Sequence, residues 1–543
     1  MIIKGNILNV FTDEIYPAEV KINKGIIESV KEVNGEFDSL IVPGFIDSHI
    51  HIESSMLTPS RFAELALKQG TTSVVADPHE IANVMGVEGI EYMINDSHKS
   101  PLNYFFTVPS CVPSTKFETS GATIDSKIID DFLSQDEFVA LGEVMNYEDV
   151  INKNPEIMAK IDIAKKYNKP IDGHAPLLSG SRLEQYIKTG ISTDHECSTP
   201  QEVMEKKRAG MKIMIREGSF SSDIDHFMYN NGDIIVNDDI SAYDLLNRGH
   251  MNHCLRKAVD LGLDPFKAIR MVTLNPAQHY NLNRGSISVG KAADLVFIDN
   301  LTNFNVNKVI INGNVIYKKE KLLYKANPSP IRNTIFANQK VPEDFNVCTK
   351  DPKSKCAIVN VINYKKDPLI TQKTTAKLNV NNGVVIPSVY NDILKISNIE
   401  RYNGNTISNG FIKGFGIKNG AIASTVSHDS HNIIVVGTNN DYMTQAVNFL
   451  IKNKGGLVAI SNQGHAELTL PIAGLMSDKS PYNIIKSSEY LNKFIKNMGC
   501  NLESPFMVLS FAALLVIPEL KMSNQGLFDV NQNKFIDVIE KEI

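Results

Sequence analysis

The sequence predicts an α/β protein with a (β/α)8 barrel of the TIM type, a flanking β-sandwich built from both sides of the barrel, and a C-terminal α+β domain. Two observations lead to this prediction. Eight strand-like segments alternate with helical patterns between residues 42 and 238, and eight such units are what the barrel requires. Short strands with glycine turns precede this region and return at residues 285–317.

The eight predicted strands are apolar runs that end in polar residues. They lie at 42–47, 71–77, 102–108, 138–143, 170–174, 191–195, 211–217 and 233–238. Segments between them, such as PSRFAELALKQG, have helical periodicity and a closing glycine. The predicted domains are therefore the first part of the sandwich at 1–43, the barrel at 44–280, the second part of the sandwich at 281–331, and the α+β domain at 332–543.

Composition and charge narrow the classes of partner. The 543 residues include 55 Lys and Arg against 61 Asp and Glu, a formal charge of −6. Without a basic excess, binding to an extended nucleic acid is not expected, and a small-molecule substrate is. The first residues lack a signal-peptide pattern and no apolar run is long enough to span a bilayer, so we expect a cytoplasmic protein without membrane contact.

The six cysteines are scattered without a CxxC pair. This pattern argues against a disulfide framework and against a structural zinc knuckle. If the chain binds metal, the ligands are expected among its histidines and carboxylates.

His49 and His51 form an HxH pair after the first predicted strand. In a strand, residues i and i+2 point to the same side, so both imidazoles can face one point at the mouth of the barrel. Surface and core histidines also produce this pattern by chance. The pair is therefore half of a predicted metal site and depends on residues elsewhere in the barrel.

Four further residues of metal-ligand type end other predicted strands. They are Glu143, His174, His195 and Asp238. The carboxylates could instead cap the following helices, and the histidines could be buried core residues. Barrel enzymes assemble their sites at this end of the strands, and the shared position of all six residues favours a metal site.

Imidazole and carboxylate ligands without thiolate suit zinc, manganese or iron. We expect a binuclear centre, which lowers the pKa of a bound water so that hydroxide exists near neutral pH. Asp238 is the predicted residue that accepts the proton and passes it to a leaving group.

Longer motifs in the chain resemble a known family. VPGFIDSHIHIESSML and the closing GSISVGKAADLV look like the amidohydrolase superfamily. HIESSMLTP, VVADPHEIANVMG, PSCVPS, ALGEVMNY, IDGHAP, MIREGS, VSHDSHNIIVVG and LPIAGLMS are similar to its bacterial and archaeal adenine deaminases. The resemblance runs nearly end to end.

This resemblance implies hydrolytic deamination of adenine, in purine salvage, by a metal-activated hydroxide that attacks C6 and releases hypoxanthine and ammonia (EC 3.5.4.2). It implies that Glu143 bridges the two ions and that Asp238 both binds metal and shuttles protons. The remaining metal ligands would be His49, His51, His174 and His195. Mn²⁺ is the expected metal, ahead of Fe²⁺ or Zn²⁺, and a homodimer or higher homo-oligomer is the expected assembly.

Three clusters are predicted to form the substrate pocket. His79 follows the second strand, where a helix start is the alternative interpretation. Arg216 and Glu217 end the seventh strand. Glu217, a predicted catalytic and substrate-binding residue, could grip a purine ring nitrogen, although a structural salt bridge is the other interpretation. His428 lies in a polar loop at 427–432 that is predicted either to fold over the barrel mouth or to be a surface turn.

The segment Asn237-Asp238-Asp239-Ile240 departs from the family pattern, which usually has Thr before the paired aspartates and a basic residue after them. We expect this change to affect the positioning of the substrate and the catalytic rate, while all the predicted metal ligands are kept. The alternative function is hydrolysis of a cyclic amide, such as a dihydropyrimidine. Cyclic amidases that resemble this chain normally bridge their two metals with a modified lysine. In this chain, Glu143 stands at the corresponding strand end.

Overall fold

The protein is described by a computed structural model that covers residues 1–227, 232–365, 370–403 and 406–543. It forms two compact units. The first comprises residues 1–79, 90–111 and 124–329, and the second comprises residues 80–89, 112–123 and 330–543. The second unit thus includes two short segments that the sequence places within the barrel region.

Sixteen strands are described before residue 330. They are β1 (Ile2–Asn9), β2 (Glu14–Asn23), β3 (Ile26–Glu32), β4 (Leu40–Pro43), β5 (Phe45–Ile50), β6 (Thr71–Ala76), β7 (Asn103–Val108), β8 (Phe138–Val144), β9 (Ile171–Gly173), β10 (Thr193–Asp194), β11 (Lys212–Arg216), β12 (Ile234–Val236), β13 (Leu295–Ile298), β14 (Val306–Ile311), β15 (Asn314–Lys318) and β16 (Lys321–Leu322).

Thirteen α-helices are described in the same part of the chain. They are α1 (Pro59–Ala66), α2 (His79–Met85), α3 (Val87–Ser97), α4 (Ser126–Leu133), α5 (Tyr147–Ile151), α6 (Pro155–Lys166), α7 (Gly180–Lys188), α8 (Pro200–Arg208), α9 (Ile224–Phe227), α10 (Ala242–Asn247), α11 (Met251–Asp260), α12 (Pro265–Met271) and α13 (Leu274–His279).

Strands β5 to β12 are parallel and follow one another in chain order. β5 to β9 form a five-stranded sheet and β10 to β12 a three-stranded sheet. The Ser192 N–H donates to the Ile171 carbonyl at 3.0 Å, near the ends of β9 and β10. Ile50, at the end of β5, forms a parallel bridge with Asp238, just after β12. The predicted parallel β/α architecture is confirmed at this level.

The apolar strands bury their side chains as the sequence predicts. Every residue of β5, β6 and β8 is buried, which is typical of parallel strands covered on both faces. Ile46, Val75, Val139, Met214 and Ile234 belong to one core cluster. This packing holds the carboxyl ends of the strands, where the ligand-type residues lie.

The first predicted strand, 42–47, is divided in the structure. Pro43 ends β4, and Phe45 begins β5. β4 pairs with β1 and β13, whereas β5 pairs with β6. The apolar run continues across Gly44 because both strands are buried, so the pattern alone does not reveal the break. β5 then extends to Ile50, and His49 lies within the strand rather than after it.

The two flanks of the parallel region join in one eight-stranded sheet. Its order is β16-β15-β14-β13-β4-β1-β2-β3. The sequence predicts a sandwich, but the described strands form one continuous sheet because β4 is paired on both sides, parallel to β1 and antiparallel to β13. Buried residues from both flanks, including Ile7, Val20, Ile41, Leu295 and Ile310, share one core cluster.

The second unit is largely an antiparallel sheet with helices. Its described elements after residue 330 are β17 (Cys356–Tyr364), β18 (Thr371–Asn381), β19 (Val384–Val385), β20 (Ile393–Ile399), β21 (Ile407–Lys413), β22 (Ala421–Ser424), β23 (Ile433–Gly437), α14 (Asn440–Lys452), β24 (Gly456–Ser461), β25 (Gly464–Thr469), α15 (Pro481–Asn497), α16 (Pro505–Phe511), β26 (Leu520–Ser523), β27 (Gly526–Asp529), β28 (Lys534–Ile536) and β29 (Ile539–Glu542).

Ten of these strands form one sheet in the order β19-β18-β17-β21-β20-β23-β22-β24-β25, with β29 on β17, and β26 to β28 form a second sheet. α14 packs on the large sheet through Met443, Ala446, Val447 and Leu450, whose spacing places them on one helix face. Within the described ranges, none of the helices combines the length and apolar character that a membrane span requires.

Candidate metal centre

The six predicted metal ligands lie at the carboxyl ends of the parallel strands. His49 is in β5 and His51 follows it, and Glu143 is in β8. The other three follow β9, β10 and β12: His174, His195 and Asp238. All are buried except His174, which is partly exposed.

Glu143 contacts histidines from several strands with its two oxygens. Oε2 lies 2.7 Å from His174 Nδ1 and 3.2 Å from His195 Nε2, and Oε1 lies 3.4 Å from His51 Nε2. The carboxylate therefore lies between the HxH pair and the two later histidines. This position suits a residue that contacts two ions at once.

Asp238 faces the HxH pair. Its Oδ1 lies 3.1 Å from His51 Nε2 and 3.4 Å from His49 Nε2. The rings of His49 and His195 are 4.1 Å apart between centroids. The structure thus brings all six residues together, while their role as ligands stays a prediction.

The donor atoms at this site fit a divalent metal. The ligand-type atoms of His49, His51 and Glu143 lie within 4.8 Å of one another, as do those of Glu143, His174 and His195. Among the described residues, His49 Nε2 is buried without a hydrogen-bond partner. A buried polar atom without a partner is costly, and a metal bound there would supply one. Nitrogen and oxygen donors without thiolate suit Zn, Mn or Fe.

When no metal is bound, the electrostatics of the cluster favour the protonated form of three histidines and the ionised form of two carboxylates: His49, His51 and His174, and Glu143 and Asp238. Burial lowers the pKa of His174, but the charge of Glu196 and the contact with Glu143 outweigh burial and raise it to about 9. Burial raises the pKa of Glu143, but its contacts with His174 and His195 hold it well below its usual value. Metal binding must therefore displace protons from imidazoles, which makes metal affinity depend on pH.

Gly142 allows the chain to pass close to Asp77 just before Glu143. A Cβ at this position would overlap Asp77 Oδ2 and would lie 2.9 Å from Thr107 Oγ1. Only the absence of a side chain leaves room for Asp77. The Gly-Glu order in ALGEV is therefore explained by local packing beside the cluster.

His79 and Asp77 extend the cluster. His79 Nδ1 lies 3.5 Å from Glu143 Oε1 and 3.8 Å from Asp77 Oδ1. Among the described residues, both Asp77 carboxylate oxygens are buried without a hydrogen-bond partner. The sequence predicts His79 as a pocket residue, and the structure places it against the metal-ligand candidates. Asp77 is a candidate that the sequence-based ligand set does not include.

Arg216 lies on the same side as the cluster. It is buried and contacts Asp238 Oδ2 at 3.4 Å, Asp223 Oδ2 at 2.8 Å and Glu196 Oε1. Glu196 Oε1 also lies 3.8 Å from His195 Nε2. Glu196 was not among the predicted site residues, although its position directly after His195 is a signal in the sequence.

Glu217 has different neighbours. Its carboxylate accepts from Arg248 at 2.8 Å, from Lys257 at 2.9 Å and from Ser222 at 2.6 Å, and lies 3.2 Å from His253. Burial raises the pKa of Glu217, but hydrogen bonds from these groups lower it to about 2. Adjacent strand positions point to opposite faces, which explains why Arg216 and Glu217 have separate partners. The catalytic role of Glu217 stays a prediction.

His428 lies in a histidine–carboxylate group within the second unit. His428 Nδ1 lies 2.6 Å from Glu80 Oε1, and His431 Nε2 contacts Glu80 Oε2. The His428 ring stacks on Phe511 with centroids 5.3 Å apart. The predicted role of His428 in substrate binding, and the closing of its loop over the strand ends, stay predictions.

The hydrogen bonds of His431 show which of its ring nitrogens carries the proton in the group that it forms with Glu80 and His428. The Ser427 N–H donates to His431 Nδ1 at 3.2 Å. A neutral imidazole carries one proton, so the proton of His431 lies on Nε2 and is donated to Glu80. His431 therefore has no free lone pair on Nε2 for a metal in this arrangement, although the three ligand-type atoms lie within 4.8 Å.

Comparison with known proteins identifies two family models in the chain. The amidohydrolase family matches residues 40–316, and the adenine deaminase C-terminal domain matches residues 368–534. An adenine deaminase of Methanosphaera stadtmanae is 64% identical over 542 residues, which cover 100% of both chains.

Two further relatives extend this relationship. An adenine deaminase of Methanothermobacter thermautotrophicus is 47% identical and covers 99% of this chain and 100% of its own. One from the bacterium Borreliella burgdorferi is 42% identical and covers 98% of this chain and 99% of its own. With a parallel β/α unit that collects imidazoles and carboxylates at its strand ends, the chain belongs to the amidohydrolase family and, within it, to the adenine deaminases.

Proposed function

We propose that this protein hydrolyses adenine to hypoxanthine and ammonia. The observation that carries the proposal is the 64% identity to an adenine deaminase over the whole of both chains. The aligned range covers the strand ends with the ligand-type cluster as well as the C-terminal region. The position of Glu143 between two sets of histidines supports a hydrolytic mechanism with two metals.

The metal centre would be held by six side chains. His49, His51 and Asp238 would form one set, since Asp238 Oδ1 contacts both histidines. His174 and His195 would form the other, with Glu143 shared between the two sets. When bound, the metals would supply a hydroxide near neutral pH and stabilise the negative charge that develops in the transition state. We propose Mn²⁺ as the physiological ion. The nitrogen and oxygen donors of the site also suit Fe²⁺ and Zn²⁺.

Asp238 is the proposed proton carrier. Without metal, burial raises its pKa, but contacts with His49 and His51 hold the pKa well below the usual value. The side chain is then ionised, which is the charge state that a metal ligand and a proton acceptor both need. In the overall reaction, the oxygen of water bonds to C6 and the bond from C6 to the amino nitrogen breaks. One proton from the water passes through Asp238 to the departing nitrogen, which leaves as ammonia.

Arg216 supports this role through its contact with Asp238 Oδ2 at 3.4 Å. The guanidinium stabilises the ionised carboxylate and restricts its orientation, since Asp223 and Glu196 hold the same side chain. Arg216, His79, Glu217 and His428 remain the proposed substrate-binding residues. The position of His79, 3.5 Å from Glu143, supports a place beside the reacting group.

Three broader proposals accompany this function. The chain order of β5 to β12 and the bridge between Ile50 and Asp238 support a closed (β/α)8 barrel. The six free cysteines fit a reducing compartment, in accord with a cytoplasmic enzyme. A symmetric homodimer is the proposed assembly because closed two-fold assemblies are the commonest.

The test is steady-state ammonia release from adenine by protein expressed with added manganese, with metal per chain measured on the same sample. Adenosine and a dihydropyrimidine are the comparison substrates. We expect rapid turnover of adenine alone, with about two metals per chain. Turnover of the dihydropyrimidine in place of adenine would overturn the proposal in favour of a cyclic amidase.

A further inference from the structure

A buried lysine lies behind the metal-centre candidates that follow β9 and β10. Lys206 is completely buried on α8, where Glu202, Val203 and Lys206 face inward. Its Nζ donates to Asp194 Oδ2 at 2.9 Å, to Glu202 Oε1 at 2.6 Å and to the Ala175 carbonyl at 2.6 Å. Three acceptors satisfy the three N–H bonds of the ammonium group.

These acceptors are next to the histidines in the chain. Asp194 immediately precedes His195, and Ala175 immediately follows His174. Asp194 Oδ1 also accepts from the Ala175 N–H at 2.8 Å. Lys206 and Asp194 therefore join the two segments that carry His174 and His195, so that neither segment can shift without the other.

A different network lies behind the other half of the centre. Asp47, two residues before His49, accepts from the Asn237 side chain at 2.9 Å and from the Asn237 backbone N–H at 3.2 Å. His250 Nε2 lies 2.9 Å from Asp47 Oδ2. Asn237 immediately precedes Asp238, so this network connects the two strand ends that carry His49 and Asp238.

The unusual Asn237 has a structural explanation in this network. Its carboxamide donates to a fully buried carboxylate, and the same carboxylate accepts the backbone N–H beside it. Asn237 therefore connects β5 to the end of β12. Among the described residues, the Asp47 network and the Lys206 network share no member.

We propose that Lys206 is a positioning residue for the His174 and His195 half of the metal centre alone, and that the Asp47 network independently positions the His49, His51 and Asp238 half. This inference rests on the proposed metal-dependent function. Groups that orient metal ligands typically change metal affinity by about 10- to 100-fold when they are removed. Loss of Lys206 should therefore weaken one of two bound ions and leave the other unchanged.

The experiment is titration of metal-free protein with Co²⁺, followed by the visible absorption of the bound ion, for the full chain and for Lys206→Met. Methionine keeps the length of the apolar stem and removes the charge. We expect two binding constants in the unaltered protein and, in the variant, a loss of about 10- to 100-fold in one of them. The other constant should change by less than about threefold.

Lys207→Met is the matched control. Lys207 is the next residue on α8 and pairs with Asp233 at 3.0 Å, so the same charge is removed from an ion pair that lies outside both histidine segments. Both binding constants should stay within about threefold of the unaltered protein. If Lys206→Met does not fold, the same titration is made with Asp194→Asn. Asparagine keeps an oxygen that accepts from the Ala175 N–H and weakens the hydrogen bond from Lys206.

A second variant identifies which ion is affected. His195→Ala removes a ligand from the half of the centre that Lys206 supports, so the ion that still binds is the one held by the other half. Adding Lys206→Met to this variant should therefore change the affinity for that ion by less than about threefold. An equal loss of both ions in Lys206→Met, or no loss of either, would overturn the inference. Failure of the unaltered protein to bind two ions would instead overturn the proposed two-metal centre.

Discussion

Asp238→Asn should separate proton transfer from metal binding. Asp238 has a φ of 62°, in the left-handed region, which asparagine occupies more readily than most residues. The substitution also keeps the shape of the side chain. The backbone bonds from the Asp238 N–H to His49, at 3.0 Å, and from the His51 N–H to Asp238, at 2.9 Å, should therefore persist.

The expected effect is on kcat. Asparagine cannot accept and release the proton that passes to the leaving amine, and a positioned general acid or base contributes about 10²- to 10⁴-fold. This range corresponds to about 2.7 to 5.5 kcal/mol in the activation barrier. Because the amide oxygen can still face His49 and His51, metal per chain should be unchanged and KM should change by less than about threefold.

The assay is ammonia release from adenine, with metal content and thermal unfolding measured on the same samples. Asp239→Asn is the matched control, since it neutralises the adjacent carboxylate, which accepts from Ser54. A kcat within tenfold of the unaltered enzyme in fully metallated Asp238→Asn would refute the proton-carrier assignment. Parallel loss of metal and rate would show that ligation is the main role of the side chain.

Three further substitutions test the structure at separate positions. Burial and the charge of Asp429 raise the pKa of Glu118 to about 8, so the folded state binds this proton more tightly than the unfolded chain and stability falls as pH rises from about 4.5 to 8. Glu118→Gln should remove this fall and be more stable than the unaltered protein above pH 8, by about 1–3 kcal/mol in urea unfolding; a variant with unchanged pH dependence would contradict this. Glu217 has a pKa lowered to about 2, so its stabilising contribution is present above about pH 4.3 and lost as pH falls toward 2. Glu217→Gln should lower the free energy of unfolding at pH 7 by about 1–3 kcal/mol, and by less at pH 3. An unchanged free energy of unfolding at pH 7 would contradict this, and a hundredfold loss of kcat would support the predicted catalytic role of Glu217. Gly142→Ala should displace Asp77, destabilise the fold by about 1–3 kcal/mol and reduce bound metal, and normal metal content would contradict the packing argument.

Much of the candidate site can be predicted from the sequence, because its residues lie at or just after the ends of apolar strands. Strand β8 was predicted at 138–143 and is found at 138–144, with Glu143 near its end. Buried strands have continuous apolar runs, and the polar residue that follows such a run marks the strand end. This local rule locates His174, His195 and Asp238 without knowledge of the strand pairing.

The different contacts of Arg216 and Glu217 follow from the alternation of side chains along a strand. Arg216 and Glu217 were predicted as one substrate-binding pair, although the alternation of a strand places neighbouring side chains on opposite faces. In the structure Arg216 contacts Asp238, and Glu217 contacts Arg248 and Lys257. Glu196 directly follows His195, but its contact with Arg216 depends on the pairing of β10 with β11, which the apolar pattern does not show.

The sequence by itself determined the order of the strands, the residue types at their ends and, through full-length motifs, the family. Only the tertiary structure decided which side chains share a contact: that Glu143 reaches both His51 and His174, that the apolar run around Gly44 divides between two sheets, and that Lys206 lies behind His195. The physical reason is that apolar periodicity is a property of neighbours in the chain. Contacts between residues tens to hundreds of positions apart depend on how all the strands pair.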